Sequence, residues 1–269
     1  MLVWVAALHC EAKPVIDYYR LKKSTSHHAF DVYLKGNMLC IISGIGKTAA
    51  ASAIAWIAGI YHDKGSIAWI NIGTAGSATH PVGTALSINK ISDNELNQHF
   101  YPVPLIDSDL EAAHCLTLNQ ASTDYHPRQI YDMEASAFFE SATRFSSAEL
   151  VHCIKIISDN PSRQTAHDKA RISDMINHHI ARLASFAQAL LELNQQLSQR
   201  EIKVSDWQKI TGGIHFTQTQ QIRVKKSLGY LLNQTYTTGT LFADISNLQS
   251  ADKIISHLED LCHQQSQDL

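Results

Sequence analysis

The chain has 269 residues, of which 45% are hydrophobic and 17% charged, a composition typical of a globular protein with a sizeable core. A net charge of -3 without any basic cluster argues against a nucleic-acid partner. No apolar run approaches the ~20 residues of a membrane span, so we expect no membrane association.

The cysteines and the first residues predict a cytoplasmic protein. The five cysteines are scattered, odd in number and without a CxxC motif. Buried free thiols of this kind are typical of a reducing compartment. The chain begins without a basic segment and reaches the acidic Glu11 early, so its start does not resemble a signal peptide.

Apolar strands alternate with helices over residues 1–198. In chain order, the patterns predict a strand at 2–8, a helix at 11–20, a hairpin within 30–44, a helix at 46–62 and a strand at 66–73. They then predict strands at 83–93 and 115–122, a helix at 133–145, a strand at 149–158 and a long helix at 167–198. This alternation indicates an α/β fold with a mixed, largely parallel sheet flanked by helices.

The composition changes near residue 199, where the chain becomes polar and rich in Gln and Thr. Amphipathic patterns at 220–233 and 250–263 predict short helices there. We therefore divide the chain into a domain of residues 1–198 and a small helical appendage of residues 199–269. A segment of ~70 residues buries little core alone, so we expect the appendage to pack on the domain or on a neighbouring subunit.

Acidic and glycine-rich stretches follow the predicted strands. Glu11 follows the first strand, the Thr74-Ala75-Gly76 segment follows strand 66–73, Glu134 follows the short stretch 130–132, and Asp159 follows strand 149–158. In a parallel sheet these points lie at the carboxyl edge, where ligands bind. Each acid alone is explained by a helix start or a turn, but together they predict one cleft with three carboxylates.

Five motifs carry a resemblance: ALHCEAKPVID around Glu11, SGIGKTAAA at 43–51, NIGTAG at 71–76, DMEASAF at 132–138 and ISDN at 157–160. In this order they resemble the motifs of the nucleoside phosphorylase superfamily, and specifically of its hydrolytic branch, the methylthioadenosine/S-adenosylhomocysteine nucleosidases. The resemblance covers residues 2–197. It implies a small-molecule nucleoside substrate and a homodimer, for which the apolar helix 46–60 and Trp56 would supply a buried surface.

The chain departs from the family in two places. The appendage has no counterpart, and the stretch between Asp93 and Tyr131 is shorter than the family's. The aromatic segment that stacks on the base is not recognisable there, and Phe100, Tyr101 and Tyr125 all stay open as substitutes.

The resemblance implies a role for each site residue. Asp159 would protonate the leaving base, Glu11 would hold and deprotonate a water, and Glu134 would accept hydrogen bonds from the ribose hydroxyls. The remaining substrate-binding residues would be Thr74, Ala75, Gly76, Met133 and Ser158. A glycine turn at 73–76 would let the ligand approach the main chain.

Two other functions stay open. A phosphate-dependent phosphorylase needs cationic side chains, usually arginines, to bind the phosphate. Phosphorylases of this superfamily typically carry an arginine at the position that is Asn71 here. Lys47 beside Gly46 could still bind an anion. A non-catalytic nucleoside-binding module is the second alternative, and the retention of three acids argues against it. We expect hydrolysis, with no metal or other cofactor.

Overall fold

The computed structural model describes residues 1–26, 28–62, 64–162, 168–200, 207, 213–232 and 236–267. The chain divides into two compact units, Met1–Asn194 and Gln195–Leu269. The first unit contains the whole sheet, and the second is helical in its described part.

The strands of the first unit are β1 (Leu2–Ala6), β2 (Lys22–Lys23), β3 (Asp31–Lys35), β4 (Met38–Ile42), β5 (Ala68–Ser77), β6 (Ala85–Asp93), β7 (Gln98–Phe100), β8 (Glu111–Thr117), β9 (Ile130–Asp132) and β10 (Val151–Asp159). The helices are α1 (His9–Tyr19), α2 (Lys47–Ile60), α3 (Ala135–Ala142), α4 (Lys169–His178) and α5 (Ile180–Arg200). A short 3-10 turn, Ala148–Leu150, precedes β10.

Five strands close a barrel. β5 pairs with β10, β10 with β6, β6 with β8, β8 with β9, and β9 returns to β5. From β5 the sheet also extends outward through β1, β4, β3 and β2. All nine residues of β10 and nine of the ten residues of β5 are buried, which explains their continuous apolar patterns.

The predicted α/β fold with a mixed sheet is confirmed. The strand pairings divide evenly between the two directions, but the parallel ones are longer, with 27 residue pairs against 15 in the described registers. Among the described residues, five pairings are parallel (β1–β4, β1–β5, β5–β10, β6–β8 and β8–β9) and five are antiparallel. The antiparallel partners include β2, β7 and β9, which have two or three residues each and are too short to show a periodic pattern.

Most predicted elements differ from the observed ones by a few residues at their ends, and three differ more strongly. β5 continues to Ser77, so Thr74-Ala75-Gly76 lies within a strand and the predicted turn is wrong. β8 ends at Thr117 and lies earlier than the strand predicted at 115–122. The long helix predicted at 167–198 is two helices in its described part, because the chain leaves the α-helical conformation at His179.

The second unit begins within the last turns of α5 and, in its described part, has three further helices: α6 (Gln218–Leu232), α7 (Thr238–Ile245) and α8 (Ala251–Gln267). Their apolar faces form one buried cluster, whose members are Phe216, Val224, Leu228, Leu231, Leu241, Ile245, Ile254, Ile255 and Leu258. The two predicted amphipathic segments correspond to α6 and α8, whereas α7 was not predicted.

None of the helices in the described ranges combines the length and the apolar character that crossing a membrane requires.

Candidate functional site

The site begins at a gap along one edge of β5. β10 pairs with β5 from Trp69 to Gly76. On the opposite edge, β1 pairs only as far as Asn71 and β9 begins at Gly76. In the described pairings, no strand covers that edge between these two residues, so its main-chain groups are available to side chains.

Glu11 occupies this gap from the first turn of α1. Its Oε1 accepts hydrogen bonds from the N–H and the hydroxyl of Thr74, both at 2.9 Å. Its Oε2 accepts a hydrogen bond from the N–H of Leu8 at 3.0 Å. The residue is 3% exposed, so the carboxylate is held in one orientation by donors from two elements.

Asp132 connects the barrel to α3. Its Oδ2 accepts hydrogen bonds from the N–H groups of Glu134 and Ala135, at 3.2 and 2.7 Å, at the start of that helix. Its Oδ1 accepts one from the Thr117 hydroxyl at 2.7 Å. These contacts fix the main chain at Glu134 and therefore the place where its side chain enters the site.

Lys155 is a fully buried cation beneath the site. Its Nζ lies 2.8 Å from Asp132 Oδ2, and both side chains are at most 1% exposed. Burial acts to lower the pKa of Lys155, but the charges of Asp132 and Glu134 outweigh it and raise that pKa. The lysine therefore stays charged inside the barrel.

Glu134 has a raised pKa. Its Oε1 accepts a hydrogen bond of 2.7 Å from the N–H of Gly46, which precedes α2. Burial raises the pKa of Glu134 to about 7, with Asp132 and Glu11 adding to the rise and with Lys155 and Gly46 opposing it. The carboxyl group thus changes its charge near neutral pH.

Asp159 stands at the end of β10. The hydroxyl of Ser158 donates to Asp159 Oδ2 at 2.5 Å. The register between β10 and β5 shifts between Ile157 and Asp159, and such an irregularity re-aims the side chains that follow it. Asp159 also lies close enough to Tyr125 to raise the pKa of that phenol, after burial as the larger cause.

One cavity of about 300 Å³ joins these groups. All eight predicted site residues line it: Glu11, Thr74, Ala75, Gly76, Met133, Glu134, Ser158 and Asp159. The structure therefore brings the whole predicted set together, and the role of each residue stays a prediction. Within the described ranges, no group of three or more His, Cys, Asp or Glu side chains is arranged to hold a metal ion.

The glycines of β5 make room for the protein's own side chains. A Cβ atom at Gly73 would lie 3.3 Å from Glu11 Oε1 and 3.4 Å from Lys155 Nζ. A Cβ atom at Gly76 would collide with the ring of Tyr125. Both glycines lie in a strand and not in the predicted turn, and the predicted close approach of a ligand to this main chain stays a prediction.

Sequence reasoning missed Lys155 and Asp132 as parts of the site, and it named Tyr125 only as one of three open candidates for stacking on the base. Lys155 left a signal, because it is the only Lys or Arg in the fully buried strand β10 and stands four residues before Asp159. The sequence did not distinguish Tyr125 from Phe100 and Tyr101, because it lies in a loop without a periodic pattern; of these three residues, only Tyr125 lines the cavity.

The two residues that bear on phosphate binding have other partners. Lys47 Nζ donates to both carboxylate oxygens of Asp93, at 3.1 and 3.0 Å, and it also pairs with Glu95. The Asn71 amide donates to the carbonyl of Val5 at 3.1 Å, between β5 and β1. The predicted capacity of Lys47 to bind an anion is therefore opposed by two carboxylates that already neutralise it.

Solved nucleosidase structures share this fold at low sequence identity. The apo 5′-methylthioadenosine nucleosidase of Arabidopsis thaliana is 16% identical, with a TM-score of 0.54 over 70% of this chain and 95% of the nucleosidase. The 5′-methylthioadenosine/S-adenosylhomocysteine nucleosidase of S. pneumoniae, solved with a transition-state inhibitor, is 18% identical. Its TM-score is 0.54, and the alignment covers 70% of this chain and 99% of the nucleosidase. The corresponding nucleosidase of Colwellia psychrerythraea, in complex with adenine, is 16% identical. Its TM-score is 0.54, and the alignment covers 71% of this chain and 95% of the nucleosidase.

No protein-family model and no curated protein matches the chain. The similarity is therefore one of structure, and it confirms the fold that the sequence motifs implied. About 30% of the chain lies outside the aligned part of these neighbours, since they cover 70 or 71% of it.

Glu134→Gln should change how stability depends on pH. The pKa of Glu134 rises from 4.5 to about 7 on folding, so between these values the native state binds more protons than the unfolded state. The free energy of unfolding of the wild type should then fall as the pH rises through this window, by about 1.4 kcal/mol per unit of pKa difference at most. Glutamine cannot ionise, so the variant should lack this fall.

Urea unfolding followed by fluorescence at several pH values across this window measures the difference. Glu192→Gln, at an exposed position of α5, is the matched control and should keep the wild-type dependence. Parallel curves for the wild type and Glu134→Gln would contradict the raised pKa.

Proposed function

We propose that the chain hydrolyses the N-ribosidic bond of a purine nucleoside of the methylthioadenosine type, releasing the free base and the sugar. The observation that carries this proposal is the grouping of Glu11, Glu134 and Asp159 around one cavity. The nucleosidase fold is consistent with it, since the structural neighbours are named as nucleosidases of methylthioadenosine and S-adenosylhomocysteine.

The cavity is suited to a transition state with positive charge on the sugar. Its lining residues include four acids, Glu11, Asp132, Glu134 and Asp159, and no Lys or Arg among those described. Cleavage of a glycosidic bond passes through an oxocarbenium-like sugar, which nearby carboxylates stabilise. Lys155 neutralises one of these four acids, Asp132, with which it forms an ion pair.

Glu11 activates the water in this mechanism. Thr74 and Leu8 fix both of its oxygens, so the carboxylate cannot rotate away from the gap beside β5. A carboxylate held in this way can orient a water and accept its proton as the water attacks the sugar carbon.

Glu134 and Asp159 act at the ribose and at the base. Glu134 accepts hydrogen bonds from the ribose hydroxyls, which favours its charged form during catalysis. Asp159 donates a proton to a purine nitrogen of the leaving base, and its bond from Ser158 fixes the side chain for that transfer.

The same lining disfavours phosphorolysis. A phosphate dianion needs cationic partners, whereas the described lining offers carboxylates, and Lys47 is paired with Asp93 and Glu95. We therefore expect base release that does not depend on phosphate.

Incubation with purine and pyrimidine nucleosides, each with and without phosphate, followed by detection of free base and sugar, tests the proposal. Equal release from a purine nucleoside in both conditions is the expected result. Strict dependence on phosphate would identify a phosphorylase, and nucleoside binding without any release would identify a binding module.

Asp159→Asn should lower the turnover number by ~10² to 10⁴, because the amide cannot donate the proton. The exposed Asp244→Asn in α7 is the matched control and should keep wild-type turnover. Both variants should melt as the wild type does. Wild-type rates in Asp159→Asn would remove Asp159 from the mechanism.

We further propose that the protein is a cytoplasmic homodimer. Cys10, Cys40, Cys115 and Cys153 are buried free thiols, which suits a reducing compartment. Leu96, Tyr101 and Leu105 are 61, 62 and 60% exposed within one short segment, and exposed apolar groups of this kind often mark an interface. Trp56, expected at the interface, contacts Phe30 of the same chain, with ring centroids 5.5 Å apart.

Light scattering at micromolar concentration should give twice the mass of the 29.9 kDa chain. Replacing Leu96 and Leu105 together by serine should shift the wild-type dimer towards monomer, because it removes apolar surface from the interface. A monomeric wild type would contradict the proposal.

A further inference from the structure

Tyr125 stands inside the candidate site, at the end where Asp159 lies. It lines the cavity together with Gly76, Ser158 and Asp159. Its hydroxyl end rests on the main chain of Gly76, closely enough that even a methyl group there would collide with it. A ligand atom therefore cannot occupy this position beside Gly76 while the phenol stays in place.

The loop that carries Tyr125 is held by its neighbour Tyr131. The Tyr131 hydroxyl accepts hydrogen bonds from the N–H of His126 at 2.7 Å and from the amide of Gln129 at 3.0 Å. The rings of Tyr125 and Tyr131 lie 5.3 Å apart. Residues 118–129 otherwise contain no helix or strand, so a few contacts decide the position of this loop.

The space occupied by Tyr125 is the space that the base needs. Under the proposed function, a purine nitrogen must come within about 3 Å of Asp159 to receive its proton. Tyr125 is already near Asp159, as the effect of that acid on the pKa of the phenol indicates. The remaining cavity of about 300 Å³ is at the lower limit of the volumes usual for ligand sites.

We infer that the Tyr125 side chain occupies the base end of the cavity in the unliganded protein and leaves when the base binds. The inference rests on the proposed function for the identity of the ligand, a purine. Tyr125 then controls access to the site. The apparent affinity for a base equals the affinity of the open site multiplied by the fraction of molecules in which the phenol does not block it.

A side chain that blocks the site and a side chain that stacks on the base have opposite effects on the affinity for the base. A platform contributes contact area to the bound base, so that its removal weakens binding. A blocking side chain competes with the base, so that its removal strengthens binding. Substitution at one position therefore distinguishes the two roles.

The test is calorimetric binding of adenine to the full chain. Tyr125→Ala should bind adenine about three- to tenfold more tightly than the wild type, because the competing ring is absent. Tyr125→Phe is the matched control: it keeps the ring and should stay within about twofold of the wild type. Thermal melting of each variant establishes that it is folded.

Tyr131→Phe supplies a second measurement without altering Tyr125. It removes the hydroxyl that accepts from His126 and Gln129, so the loop should open more readily and adenine should bind more tightly. Weaker or unchanged binding of adenine to Tyr125→Ala would overturn the inference, since it would indicate a platform or a remote residue.

The nucleoside cleavage assay on the wild type reports separately on the proposed function. A wild type that releases base, together with a Tyr125→Ala variant that binds adenine less tightly, would keep the hydrolase and refute the blocking role. A wild type that binds adenine without cleaving nucleosides would refute the hydrolase, and the order of the adenine affinities would still decide the role of Tyr125.

Discussion

The buried ion pair between Lys155 and Asp132 is the interaction on which the rest of the site depends. It joins β10 to β9 inside the barrel, at 2.8 Å and away from solvent. A charged pair in this setting is stable only when its remaining groups are satisfied, and Asp132 is satisfied by Thr117, Glu134 and Ala135. One carboxylate thus ties two strands and the start of α3 together.

That arrangement determines the electrostatics of the cavity above it. Lys155 neutralises a single carboxylate, while Glu11, Glu134 and Asp159 remain around the space where a ligand would lie. Burial is the first cause of the raised pKa of Glu134, and Lys155 is the main influence that opposes it. Under the proposed function, a positively charged transition state would favour the ionised form of Glu134, which burial disfavours.

The sequence predicted the three acids but not the framework that supports them. Glu11 and Asp159 were found because each follows a long apolar strand, and Glu134 because it opens a helix within a recognisable motif. The closure of the barrel was not predictable, since it runs through β9, a strand of three residues that pairs with β5 over only two of them. Lys155 left only the signal of a lone cation in a buried strand, and the pattern of one strand does not show that this cation pairs with an acid on another strand.

The two glycines of β5 show how the same residue type serves a fixed contact and a movable one. Gly73 lies against Glu11 and Lys155, which are held by hydrogen bonds and by an ion pair, so the space that it leaves is permanently filled. Gly76 lies against Tyr125, whose loop depends on two hydrogen bonds to the Tyr131 hydroxyl. The first glycine therefore protects the geometry of the carboxylates. Gly76 leaves a surface that either the phenol of Tyr125 or a base can cover. The fixed part of the site at Gly73 and the movable part at Gly76 therefore lie within four residues of one strand.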